Sequence, residues 1–196
     1  MSNLKEQFNS KTFLITGGAG FIGSNLALHL QTQYPKSRVV IFDCFQNQHQ
    51  GQPGFINSYG HYKNLIGFNG DIICGDLNSK PDFDKLENYK FDFIFHKAAI
   101  SDTRENNQEA IMKTNVNTFY DILRLTKKNK ARLIYASSGA TYGDAKSPQS
   151  IGHESPGNAY GYSKYLMDQI AIRFSNENPG LKIFGLRYFN VYGPGE

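Results

Sequence analysis

Thr12-Phe13-Leu14-Ile15-Thr16-Gly17-Gly18-Ala19-Gly20-Phe21-Ile22-Gly23 runs from a short apolar, β-branched stretch straight into a glycine turn. Beyond Gly20, the residues Phe21, Ile22, Leu26, Leu28 and Leu30 recur at helical spacing until Pro35 stops them, so the order is strand, turn, helix. Arg38 to Phe42 is a second apolar run closed by Asp43, which completes a βαβ unit. Gly17, Gly20 and Gly23 have distinct uses in such a turn. The first permits the tight bend, the second lets backbone approach a diphosphate, and the third lets helix and strand pack closely. Gly20, Phe21 and Ile22 open the helix, whose N-terminus attracts negative charge. Asp43 ends the second strand, where a carboxylate can accept the hydroxyls of an adenosine ribose.

The same alternation continues along the chain. Ile72 to Gly75 reads as a third strand, Pro81 to Asn88 as a short helix and Phe91 to His96 as a fourth strand. Glu105 to Lys130 carries Ile111, Val116, Phe119, Ile122, Leu123 and Leu125 at three and four spacing, which predicts one long amphipathic helix. Arg132 to Ala136 is the fifth strand, Asn158 to Asn176 the next helix and Leu181 to Tyr188 the sixth strand. Residues 44–70, rich in Gln, Asn and Gly, predict a long loop with at most one short helix. Repeated βα alternation with apolar strands predicts a Rossmann-type, doubly wound parallel sheet with helices on both faces. The length of 196 residues suits a single domain.

Composition narrows the partners. With 39% hydrophobic and 19% charged residues the chain is ordinary globular material, without an apolar run long enough to span a membrane. The polar stretch Met1 to Lys11 lacks a secretory signal and points to the cytoplasm. The formal charge of +4 comes from scattered Lys and Arg, with Lys127-Lys128-Asn129-Lys130 the one cluster, placed at a helix C-terminus. Nucleic acid is therefore not expected as a partner, whereas a small phosphorylated ligand is. Cys44 and Cys74 stand in no metal-ligand spacing, so no metal site and no disulfide are expected. Homo-oligomer formation is left open.

Tyr160 and Lys164 are four residues apart and share one face of the predicted helix. Free tyrosine titrates near pH 10. A neighbouring ammonium should favour the phenolate and bring Tyr160 closer to working pH as an acid/base group. Ser138 closes the fifth strand at the same carboxyl edge, where its hydroxyl serves a substrate oxygen or a turn cap. Asp76 and Leu77, after the third strand, are placed to touch an adenine, though a simple turn needs an Asp just as well. His96 reads as a structural strand-end residue. Lys97 could reach a ligand, with a solvated lysine the commoner outcome.

Thr-Gly-Gly-Ala-Gly-Phe-Ile-Gly at 16–23, His-Lys-Ala-Ala at 96–99, Ser-Ser-Gly-Ala-Thr-Tyr-Gly at 137–143, Tyr-x-x-x-Lys at 160–164 and Arg-Tyr-Phe-Asn-Val-Tyr-Gly-Pro at 187–194 follow one another in a telling order. Together they resemble the extended short-chain dehydrogenase/reductases that act on nucleotide-linked sugars. The resemblance implies catalytic roles for Ser138, Tyr160 and Lys164, with hydride passing from the sugar to a nicotinamide and back. It implies cofactor contacts for Ala98, Ala99, Asn115, Lys164 and Phe189, and substrate contacts for Ser101, Ser138 and Asn190. Gly60 to Phe68, Ala99 to Thr103 and Tyr135 to Gly143 are most similar to one branch of nucleotide-sugar epimerases. UDP-sugar 4-epimerases usually differ where Ser101-Asp102-Thr103 stands, and dehydratases carry Asp-Glu where Gly139-Ala140 stands.

Cofactor choice divides the two lines of argument. Asp43 favours NAD, because a 2′-phosphate would meet like charge, and no Lys or Arg follows before Lys63. The branch resembled is associated with NADP, which tips the expectation slightly that way. A net nucleotide-sugar reductase and a non-catalytic dinucleotide module are the competing readings, the latter having no need of Ser138, Tyr160 and Lys164 together. Family members continue past the position of Glu196 into a substrate-binding domain. The 196-residue chain is accordingly expected to bind dinucleotide without turning over substrate.

Overall fold

The computed structural model describes residues 6–45 and 60–194. Apolar and β-branched stretches form Thr12–Thr16 (β1), Arg38–Asp43 (β2), Asp71–Cys74 (β3), Phe93–His96 (β4), Arg132–Ser138 (β5) and Lys182–Tyr188 (β6). Between them lie Phe21–Gln33 (α1), Lys80–Asp84 (α2), Gln108–Ile111 (α3), Thr118–Asn129 (α4) and Ala159–Glu177 (α5). The strands make one sheet in the order β3-β2-β1-β4-β5-β6, and every pair is parallel. The doubly wound sheet is thus as expected, with β1 flanked by β2 and β4 where the winding reverses.

Alternation along each strand sends neighbours to opposite faces. Phe13, Ile15, Val39, Ile41 and Phe93 pack with Ala27 and Leu30 of α1, whereas Leu14, Val40, Ile94 and Leu133 pack with Phe119, Ile122 and Leu123 of α4 and Met167 and Ile170 of α5. Helices therefore cover both faces. Lys127 and Lys128 fall in the last turn of α4, where cations suit the helix dipole.

The long helix expected from Glu105 to Lys130 differs in detail. It begins at Gln108, capped by Asn107, and passes through a π-helical stretch, Met112–Asn117, before α4. The wider turn accompanies a fully buried Asn115, whose amide bonds the backbone of Ile100 instead of following the amphipathic pattern. Of the expected loop at 44–70, residues 46–59 lie outside the described residues. The described remainder holds a 3-10 turn, Tyr62–Leu65. Among the described residues no helix is long and apolar enough to cross a membrane.

Candidate active site

A cleft of about 1230 Å³ opens along the carboxyl edge of the sheet, from Asp43 and Asp76 past the glycine turn to Ser138, Tyr160 and Lys164. Its floor is the turn itself. Gly17 has φ +67°, and a Cβ there would lie 2.6 Å from the Ala98 nitrogen. A Cβ on Gly23 would collide with the Gly17 carbonyl oxygen, so the start of α1 can sit against the turn only without a side chain at that position. No side chain caps α1 at Gly20, and its first turn holds no acidic residue. Uncapped amides and a positive dipole end face the cleft.

Asp43 anchors the turn as well as lining the cleft. Its Oδ2 accepts from Ala19 N at 2.9 Å and its Oδ1 from Phe45 N at 3.0 Å. Above it runs the start of the Gly60 to Phe68 segment, noted in the sequence for its resemblance but given no role there. His61 N and Asn64 Nδ2 both donate to the Ala19 carbonyl, at 3.1 and 2.9 Å, and Gly60 packs against the Asp43 carboxylate. The two readings of Asp76 hold together, because it lines the cleft while its Oδ1 accepts from Asn78 N at 2.9 Å to close a turn.

At the other end, Asn158 caps α5 by accepting from Gly161 N at 2.7 Å, which starts the helix so that Tyr160 and Lys164 face β5. Lys164 Nζ donates to the Ala136 carbonyl at 2.8 Å and lies 5.8 Å from the centre of the Tyr160 ring. Ser138 Oγ accepts from Ala140 N at 3.1 Å, so the capping role is realised, and it also hydrogen-bonds Tyr160. Phe189 is 65% exposed and stacks beside Tyr142 at the mouth of the cleft, next to Asn190. Every residue expected at the site lines this cleft except Asn115. That side chain is fully buried behind it, joined to Ile100 N at 2.8 Å and to Ser163 Oγ at 3.0 Å, and supports the wall.

Two expectations need correction. Burial raises the Tyr160 pKa above its usual 10, only partly offset by the Ser138 hydrogen bond, so the expected lowering by a neighbouring ammonium is not what this geometry gives. The Lys164 ammonium is turned to the Ala136 carbonyl, and desolvation dominates. Lys97 is half-buried in the cleft wall and is not a freely solvated surface lysine. Its Nζ donates to the Tyr188 hydroxyl at 2.9 Å inside the cleft, and burial pulls its pKa down to about 8. His96 behaves as expected: fully buried, its Nδ1 2.7 Å from the Thr16 hydroxyl, it is held neutral with a pKa of about 3 by desolvation and by Lys164 and Lys97.

Burial also brings the Lys164 pKa to about 7, with Asp168 opposing the fall. Below that pH both folded and unfolded chains carry the ammonium, and the folded state bears the full desolvation cost. As pH rises from about 7 toward 10.5 the folded state sheds the proton that the unfolded chain keeps, and the cost is relieved. Lys164→Met should therefore be more stable than the wild type in acid, with an advantage that shrinks by more than about 1 kcal/mol toward about pH 9. Urea denaturation across that range measures it, and a pH-independent difference would contradict the burial argument.

Behind the site lies a second missed feature. Asp168, one helical turn beyond Lys164, accepts from Tyr135 OH at 2.8 Å, Ser137 Oγ at 3.0 Å and Arg187 Nε at 3.0 Å. Arg187 also pairs with Glu154 at 2.6 Å and lies over the Tyr142 ring. Helix α5, β5, β6 and the loop before α5 are clasped together.

The family model described as the NAD dependent epimerase/dehydratase family matches residues 13–196. The chain belongs to the NAD dependent epimerase/dehydratase family. Within this epimerase/dehydratase family, it is 34% identical over 186 residues to an ADP-L-glycero-D-manno-heptose-6-epimerase of Brachyspira hyodysenteriae, covering 93% of this chain and 55% of that relative. The solved ADP-L-glycero-D-manno-heptose-6-epimerase of Helicobacter pylori is 46% identical with a TM-score of 0.86, covering 96% of this chain and 58% of that one. A UDP-glucose 4-epimerase from Brucella ovis in complex with NAD is 26% identical with a TM-score of 0.73, over 92% of this chain and 52% of that one. The chain spans about half the length of the curated relatives it matches. Among the described residues, no group of three or more His, Cys, Asp or Glu could hold a metal ion.

Proposed function

We propose that residues 1–196 are one NAD(P)-binding domain of a nucleotide-sugar epimerase whose substrate is an ADP-linked glycero-manno-heptose, in the synthesis of lipopolysaccharide inner-core heptose. The observation that carries the heptose is the 46% identity to the Helicobacter pylori enzyme, against 26% to the UDP-glucose 4-epimerase. The glycine turn fits a dinucleotide, since its bends exclude a Cβ at Gly17 and Gly23 and it presents an uncapped helix end to the cleft. Gly17, Gly20, Phe21, Ile22 and Gly23 would hold the diphosphate, Asp43 the adenosine ribose, Asp76 and Leu77 the adenine, and Lys164, Ala98, Ala99 and Phe189 the nicotinamide end. When bound, the dinucleotide accepts a hydride from the sugar carbon and returns it.

The chain's own part is proton transfer and orientation. Tyr160 takes the proton of the sugar hydroxyl and gives it back, Ser138 hydrogen-bonds the same oxygen, and Lys164, fixed to the Ala136 carbonyl beside Tyr160, would hold the nicotinamide ribose. Ser101 and Asn190 line the sugar side. Against the slight lean to NADP that the resemblance gives, two observations favour NAD: Asp43 is 6% exposed in the cleft wall, and the described lysines lining the cleft, Lys97 and Lys164, sit at its opposite end.

The test joins residues 1–196 in parallel to the carboxy-terminal portions of the Helicobacter pylori and Brucella ovis relatives and follows the sugars by NMR. Inversion at C6 of ADP-heptose by the first hybrid with no reaction of the second on UDP-galactose supports the reading; the reverse pattern overturns it.

A further inference from the structure

Lys97 follows β4, directly beneath the glycine turn, because a Cβ on Gly17 would meet the Lys97 carbonyl carbon at 2.9 Å. Its side chain nevertheless ends at Tyr188, on the last residue of β6. Since β5 lies between β4 and β6, the side chain must cross the carboxyl edge of β5 to get there. Lys164 Nζ bonds Ala136 on that same edge. Two ammonium groups therefore share one end of the cleft, beside the neutral ring of His96. Lys97 is the less compensated. Its Nζ rests against the Tyr188 hydroxyl and 4.9 Å from the centre of that ring, and among the described residues no carboxylate pairs with it. Half-burying a cation in a cleft wall with no carboxylate beside it carries a desolvation cost.

Taking the cofactor assignment above as its basis, we propose that Lys97 is a redox-selecting residue, whose ammonium makes the cleft hold the reduced, uncharged nicotinamide more tightly than the oxidised, cationic one. The oxidised ring differs from the reduced ring by one positive charge at the end of the cleft where both lysines lie. Repulsion acts on that form alone, whereas contacts to diphosphate, riboses and adenine are common to both. An epimerase needs such a bias, because a cofactor that oxidises its substrate readily and is then retained until the electrons return completes the cycle.

Calorimetric titration of NAD and of NADH into the 196-residue chain tests this, with Lys97→Met and Lys97→Arg beside the wild type. NADH should bind more tightly than NAD to the wild type. Lys97→Met should lower that ratio by about tenfold, the effect of one charge several ångströms away at intermediate dielectric, chiefly by strengthening NAD binding. Lys97→Arg keeps the charge and should keep the ratio. Equal weakening of both forms in Lys97→Met would overturn the proposal, since Lys97 would then hold a group common to both. An unchanged ratio in Lys97→Met would overturn it as well. Failure of the wild type to bind either form would instead overturn the cofactor assignment, and the proposal with it.

Discussion

Replacing Tyr160 with Phe should lower the epimerisation rate of the joined enzyme by about a thousandfold, the scale of a lost general acid/base group. Dinucleotide affinity should stay within about twofold, as expected when a group acts in the chemical step and not in ground-state binding. The geometry separates the two effects. The Tyr160 oxygen is bonded to Ser138 at the end of β5, whereas the glycine turn, Asp43 and the start of α1 lie across the cleft and make no use of it. Phe keeps the ring that Lys164 lies against and removes only the hydroxyl. Steady-state rates and calorimetry on the same protein check both halves; a loss of affinity equal to the loss of rate would make Tyr160 a binding residue.

Asp168→Ala should cost about 3–5 kcal/mol of stability, because it takes one of two carboxylate partners from the half-buried Arg187 and strips two buried hydroxyls of their acceptor. In a domain of this size that is a fall of about 10 °C in Tm. Asp168 accepts three hydrogen bonds, from Tyr135, Ser137 and Arg187, and its side chain is 9% exposed. Removing it leaves Arg187 facing the Tyr142 ring with Glu154 alone to balance it, and leaves two hydroxyls without an acceptor. Asp168→Asn retains an acceptor and should lose less. Urea denaturation of the three chains measures the order, and equal stability of Asp168→Ala and wild type would contradict the clasp.

The two features differ in how far sequence reveals them. Gly17, Gly20, Gly23, Asp43, Tyr160 and Lys164 were legible because each follows from local spacing: a turn after a strand, a carboxylate at a strand end, a pair one helical turn apart. The strands were legible for the same reason, with β1 and β2 apolar along their length and each flanked by a helical run or a turn. What could not be read depends on contacts between distant segments. Lys97 looked like a surface lysine because nothing near it in sequence shows that Tyr188 waits across β5. Arg187 was visible as part of a family segment, yet its partners Asp168 and Glu154 come from two other elements. Asn115 lay inside a helical period that gave no sign of the π-helical turn carrying it inward. The direction of the Tyr160 shift was misread because spacing reports a neighbouring charge but not burial, and burial is the larger effect.

The most direct test of the account is the fate of the C6 hydrogen when the joined enzyme works in heavy water. If Tyr160, Ser138 and Lys164 serve a transient oxidation in this cleft, the product is inverted at C6 and carries no solvent deuterium on that carbon, because its hydrogen travels by way of the dinucleotide and never as a free proton. Deuterium at C6, or inversion that persists when the dinucleotide is stripped away, would contradict it.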